Sequence, residues 1–250
     1  MFTTHFQPRT IITAVVFFKL LLFAGLPAAQ ALPHIPATDQ QSTDDLSFGF
    51  IPPDDSGQPQ TNRAGGRRDQ LCNASIPDPP LTLLMPPTNQ GFTVARHPTF
   101  LAYLPQTSAQ NVFLKLEDEH GNYFYHTTLP LPTGSGIMSF TIPDTAPALE
   151  PEKYYKFSLA VICNAALDPN DPVLEGWIKR VEPDTFCSFQ AEQKTAFELG
   201  ASYANNGIWF DALTTLANLY RAQPDNPDII WAWEELLQSV GLDVIQNIGP

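Results

Sequence analysis

Basic residues are scarce in this chain: 13 Lys and Arg stand against 26 Asp and Glu in 250 residues, a formal net charge of −13. Such a balance repels phosphate backbones and anionic headgroups, so no nucleic-acid partner is expected, and membrane contact is expected only through an uncleaved leader. Cysteine is nearly absent too. Three cysteines allow one bridge and exclude both a disulfide framework and a four-cysteine zinc site. No H-E-x-x-H occurs, the five histidines lie far apart in sequence, and Ser135 between Gly134 and Gly136 lacks the five-residue nucleophile elbow. Beyond residue 31 no apolar run is long enough to cross a bilayer. These absences leave no catalytic constellation: no enzyme activity, cofactor or metal is expected, and a hydrolase with a scattered active site ranks last.

What is present begins with an export signal. Arg9 precedes an apolar run from Ile11 to Leu26, broken by Lys19, and Ala29-Gln30-Ala31 is an A-x-A cleavage site. The sequence thus predicts a signal peptide over 1–31, cleaved near Ala31, and an extracytoplasmic protein, periplasmic or secreted. An intact mass starting at Leu32 would check it; an uncleaved anchor is the alternative. Residues 32–75 are rich in Pro, Asp and Gly and thin in apolar residues, so they predict a disordered arm.

From 76 to 182 short β-rich segments recur between turn clusters, at the spacing of a sandwich. Seven strands are expected: Leu81 to Met85, Thr99 to Leu104, Val112 to Asp118, Tyr123 to Thr128, Ile137 to Ile142, Tyr154 to Cys163 and Val173 to Val181. Val112, Leu114 and Leu116 share one face, as do Tyr155, Phe157, Leu159 and Val161. Glu119-His120-Gly121-Asn122 reads as the turn closing the third and fourth of these strands into a hairpin. Leu149, Pro151 and Tyr155 resemble the entry to the sixth strand of fibronectin type III domains, which implies an immunoglobulin-like sandwich and a buried Tyr155 hydroxyl bonded back to nearby backbone, a tyrosine corner.

After Val181 the period changes to that of helices, and 183–250 is expected to form a three-helix segment. Trp209, Ala212, Leu213, Leu216, Leu219 and Tyr220 fall on one stripe, with Pro224 beyond. Leu199-Gly200, Tyr203, Ala212 and Pro224 resemble a single tetratricopeptide repeat. A third helix is expected from Pro227, capped by Asn226, with Ile230, Trp233, Leu237 and Val240 inward and Gly241 at its end. One such repeat cannot bury its face alone, so these helices are expected to lean on the sandwich.

The exported leader, "R-x-G-G" at Arg63 to Gly66, "HPTFLAYLP", "LEPEKYYKF", "EGWIKRV" and "GIWFDALTTLANLYRAQPDN" together resemble one family, the cyanobacterial exported proteins of domain of unknown function 928. The resemblance implies an extracytoplasmic protein of unassigned role and carries no catalytic residues.

Candidate binding residues are few. Asp118 and Glu119 are neighbours in a hairpin tip, where carboxylates are usually solvated. Asp168 and Asp171 in "LDPNDP" could offer oxygens to a ligand or to calcium, though the loop lacks the Gly-centred, Glu-terminated pattern of strong calcium sites. The loops Pro105 to Gln110, Leu129 to Ser135 and Asn164 to Pro172 are assigned to one end of the sandwich, where they could bind a carbohydrate or small ligand. Trp209 and Trp233 belong to the helix stripes, and Trp177 is expected between sandwich and helices. Trp231 lies about 200° around its helix from Trp233 at about 100° per residue. With Glu234 and Glu235 it marks a candidate surface for an envelope protein bearing a basic segment. The favoured function is a non-catalytic binding or scaffolding module. Finally, strand alternation puts Cys72 and Cys163 at one pole and Cys187 at the other, a strand length of roughly 20 Å away, so the predicted bridge is Cys72 to Cys163.

Overall fold

In the computed structural model, which describes residues 46–53, 72, 79–182 and 194–250, the alternating segments form strands whose apolar faces meet. Strand β4 (Asn111–Asp118) buries Val112, Leu114 and Leu116, and β7 (Tyr154–Ile162) buries Tyr155, Phe157, Leu159 and Val161. The two pair antiparallel, with Val112 opposite Val161 and Leu114 opposite Leu159. Together with β5 (Tyr123–Pro130), β8 (Val173–Arg180) and β2 (Gln90–Thr93) they build a five-stranded sheet in the order β2-β8-β7-β4-β5. A smaller sheet, β1-β3-β6, comes from Thr82–Leu83, Thr99–Leu104 and Gly136–Thr141. The sheets face one another across a shared core, where the Phe100 and Phe157 rings stack with centroids 4.1 Å apart.

Among the described residues eight strands are present where seven were expected. The additional one is β2. Four residues are too few to display an alternation, and Gly91 argues against a strand. Its pairing is non-local: β2 runs parallel to β8, with Gln90 opposite Trp177 and Thr93 opposite Arg180. The tyrosine corner is formed as expected, the buried Tyr155 hydroxyl accepting from the Glu150 N–H at 3.1 Å. Trp177 is placed differently from expectation. It packs in a small cluster apart from the main core with Phe92 and Tyr154, whose rings lie beneath the Lys179 ammonium.

Among the described residues three helices follow: α1 (Ala196–Asn205), α2 (Trp209–Ala222) and α3 (Pro227–Ser239). Thr195 and Glu198 close a capping box at the start of α1, and the Asn226 side chain accepts from the Asp228 N–H at the start of α3. Of the expected α2 stripe, Trp209, Ala212, Leu213 and Leu216 are buried and Leu219 and Tyr220 partly so, while Phe210 and Ala217 join the buried face. In α3 the buried set is Ile229, Ala232, Trp233, Leu236 and Leu237, so Ile229 takes the inward place expected of Ile230.

The helices lean on the sandwich through the first turn of α2. A Cβ on Gly91 would lie 2.9 Å from the Phe210 ring, so only glycine lets β2 and α2 approach this closely. Strand β1 pairs with β3 at Ala102 and Tyr103, and the Leu84 N–H donates to the Leu101 carbonyl at 3.0 Å, so among the described residues Thr99 and Phe100 have no strand partner on that side. There Phe210 meets Phe100 at 5.5 Å and Phe157 at 6.0 Å, both edge-on. The Trp209 indole N–H donates to the Leu84 carbonyl at 3.0 Å. One hydrophobic core therefore runs from the sheets into the helices.

Residues 46–53 correct part of the expected disordered arm; the rest of 32–75 lies outside the described residues except Cys72. Phe48 is fully buried and Phe50 nearly so, enough apolar surface for this short stretch to dock.

Candidate functional site

Helix α3 divides its tryptophans as the helical spacing dictates. Trp233 is fully buried, while Trp231 is 47 % exposed. Trp231 does not dock on the sandwich; its ring stands edge-on to Phe48 at 6.1 Å. Glu234 and Glu235, three and four residues on, share its side of the helix and are partly exposed. The Glu235 carboxylate accepts from the Phe48 N–H at 3.0 Å. The structure thus brings together Trp231, Glu235 and a segment of the arm.

That segment lies in a groove between α1 and α3. The Phe48 ring meets Phe197 at 4.8 Å, and Phe50 stands edge-on to Trp209 at 5.0 Å. Its backbone is read on both sides: Phe50 N–H donates to Ser239 Oγ at 3.0 Å, Ile51 N–H to the Ala204 carbonyl at 3.2 Å, and Asn205 Nδ2 donates to the Ser47 carbonyl at 3.1 Å. Gly207, at φ +74°, passes so close that a Cβ would lie 2.9 Å from Pro53. Apart from Trp209, none of these residues was singled out by the sequence pattern. The available signal was the period-two apolar set Leu46, Phe48 and Phe50 inside a polar arm.

A second concavity, of about 240 Å³, opens where β2, β3, α1 and α2 meet. Asp211 lines it, held by Thr93 Oγ1–H at 2.7 Å and Val94 N–H at 3.1 Å, while Ala95 N–H donates to Thr93 Oγ1 at 3.0 Å. His97 borders the same space, with Nε2 3.0 Å from the Ala146 carbonyl. Burial pushes the Asp211 carboxyl up to about 6, against the opposing pull of its Thr93 and Val94 hydrogen bonds. Between the ordinary value of 3.8 and about 6, the folded chain holds a proton that the unfolded chain releases. This group therefore favours folding most below 3.8, and that contribution is lost as pH rises through about 6, a difference on the order of 3 kcal/mol. Asp118, Asp168 and Glu198, whose carboxyls sit below their usual range because of hydrogen bonds, act in the opposite direction. Denaturant midpoints of the parent and Asp211→Asn at pH 4 and pH 7 isolate the effect. The variant is expected to gain on the parent at pH 7 relative to pH 4, and parallel profiles would remove Asp211 as a linked group.

The remaining candidates serve local geometry. Asp118 accepts from His120 N–H, Asn122 N–H and Asn122 Nδ2 at 2.9, 2.8 and 2.9 Å, which shapes the expected β4–β5 turn; Glu119 sits exposed beside it. Asp171 is buried and accepts from Cys163 N–H and Asp168 N–H, while Asp168 accepts from Asn170 N–H and Nδ2. The loop brings the two carboxylates together around its own donors. Among the described residues no group of three or more His, Cys, Asp or Glu could hold a metal ion. The three sandwich loops gather at one pole, since Asn111 faces both Pro130 and Ile162, and Leu104 faces Gly136. At this pole Cys72 and Cys163 form the expected disulfide, with Cα atoms 5.0 Å apart; Cys187 lies outside the described residues. The bond indicates an oxidising, extracytoplasmic environment. No helix of the described residues is long and apolar enough to cross a membrane.

A family model described as Domain of Unknown Function (DUF928) matches residues 63–248. No curated protein matches the chain. Among solved structures, the CARDB domain of the PF1109 protein from Pyrococcus furiosus, in complex with di-metal ions, is similar at 15% identity and a TM-score of 0.22, over 41% of this chain and 93% of that one. Astrotactin-2, described as a vertebrate-specific, perforin-like membrane protein, is similar at 14% identity and a TM-score of 0.24, over 62% of this chain and 34% of that one.

Proposed function

We propose, from the premise that this chain belongs to the Domain of Unknown Function (DUF928) family, that it is a non-catalytic binding and scaffolding module of the cell envelope. The observation that carries this reading is Trp231. It is 47 % exposed, whereas Trp209 and Trp233 are fully buried and Trp177 nearly so. A large aromatic left in water beside Glu234 and Glu235 suits an anchor for a partner segment that is basic or mixed in charge.

Truncation tests it. Trp231→Ala is expected to cost under about 1 kcal/mol of stability, as an exposed side chain should. It should lower capture of the envelope partner by tenfold or more. The measurement pairs a melting curve with affinity capture of the tagged mature protein, parent against variant. Equal capture by both would end the reading of α3 as a binding surface.

A further inference from the structure

The groove between α1 and α3 is filled by residues 46–53 in a manner unlike the packing elsewhere in the fold. Phe48 and Phe50 present N–H groups two residues apart, as an extended strand does, yet among the described residues no strand pairs with them. Side chains receive them instead, Glu235 Oε2 and Ser239 Oγ, each at 3.0 Å. Asn205 Nδ2 and the Ala204 carbonyl complete the reading of the backbone from the α1 side. Between these contacts the groove holds two rings separated by one glycine, Phe48 against Phe197 and Phe50 against Trp209. Backbone donors met by fixed acceptors, with pockets for alternate side chains, are how proteins bind extended peptides.

The segment is also remote from the rest of the fold along the chain. Residues 54–71 separate it from Cys72, which the disulfide fixes to Cys163 at the loop pole. Eighteen residues can span up to about 60 Å when extended, enough to reach a neighbouring molecule. A second copy supplies the same rings and the same N–H groups, so every contact made within one chain can be remade between two. Exchange then costs little beyond association, and protein concentration sets its extent.

We propose that the α1–α3 groove is a peptide-binding site for extended aromatic-glycine-aromatic segments, with residues 46–53 as its tethered occupant, and that it accepts this segment from a second copy of the chain. This deepens the binding-module reading and rests on it, because Trp231 and Glu235 border the groove.

Two variants of the full mature chain test the exchange. Phe48→Ala/Phe50→Ala frees the groove; Gly200→Leu, which points a side chain at the site where Phe48 lies 3.5 Å from a Cβ, blocks it and frees the segment. Mixed at equal concentration they should give a one-to-one dimer by sedimentation, while each alone stays monomeric. A labelled synthetic peptide of residues 46–53 should bind the first variant and raise its melting temperature, and the same peptide with Phe48→Ala should bind at least tenfold more weakly. Should either variant fold poorly, the parent sequence with a protease site placed between Pro53 and Cys72 serves instead: after cleavage, labelled peptide should replace the resident segment. No peptide binding by the variant or by the cleaved chain overturns the site. Peptide binding without mixed dimers overturns the second copy as occupant. Neither result depends on capture by Trp231, so failure here and failure of the binding-module reading are told apart.

Discussion

Trp209→Ala should melt far below the parent, by more than any other single truncation in the helices. The side chain is fully buried, at the point where helix, sandwich and docked arm meet. Truncation opens a large cavity and strips the Leu84 carbonyl of its indole donor at 3.0 Å. It also removes the ring against which Phe50 packs at 5.0 Å. Loss of a buried Trp together with an orphaned carbonyl costs about 4 to 5 kcal/mol. For a chain of this size that corresponds to a fall of roughly 10 to 15 °C in Tm. Trp231→Ala is the internal control, since it removes the same residue type from an exposed site. If both variants melt within a few degrees of the parent, the helices do not share the sandwich core, and the continuity from Phe100 through Phe210 to Trp209 would be wrong.

Loss of the disulfide should cost nearly as much. Cys72 and Cys163 close a loop of sequence separation 91, and a cross-link of that length restricts the unfolded chain by about 4 kcal/mol in the entropic account. Cys163→Ser should therefore lower the denaturant midpoint substantially under non-reducing conditions. Reducing the parent should reproduce the drop, and the variant should no longer respond to reductant. A non-reducing peptide map gives the pairing directly. Recovery of Cys187 in the bridge would contradict both the bond and the strand directions from which it was anticipated. Because Cys163 N–H also donates to Asp171 at 3.2 Å, the bond pins the loop that carries Asp168 and Asp171. That loop should lose order first when the disulfide is broken.

Much of the framework was legible from local pattern. The faces of β4 and β7, the tyrosine corner at Tyr155, the turn held by Asp118, the cap at Asn226 and the stripe of α2 all depend on residues within a few positions of one another. Spacing reports such features because the geometry that creates them is local. The candidate site was legible only in part. Trp231 followed from helical angle, but its neighbour Phe48 is 183 residues away, and the Glu235 to Phe48 bond has a sequence separation of 187. Nothing in the sequence marks Asp211, an acid near the start of a helix. Its raised carboxyl depends on β2 lying over it, and β2 itself escaped notice.

What the sequence determined by itself was therefore chemical and periodic: an acidic chain without a catalytic motif, β-rich segments followed by amphipathic helices, and three cysteines of which Cys72 and Cys163 belong at one pole. The tertiary structure alone decided which surfaces these elements cover. It paired four residues around Gly91 in parallel with β8, seated Phe210 in the space left beside β3, and laid Phe48 and Phe50 between α1 and α3. The physical reason is that a four-residue strand and an eight-residue docked segment have too few local contacts to hold any conformation. Their stability comes from apolar area supplied by distant parts of the chain, and no window of sequence contains both partners.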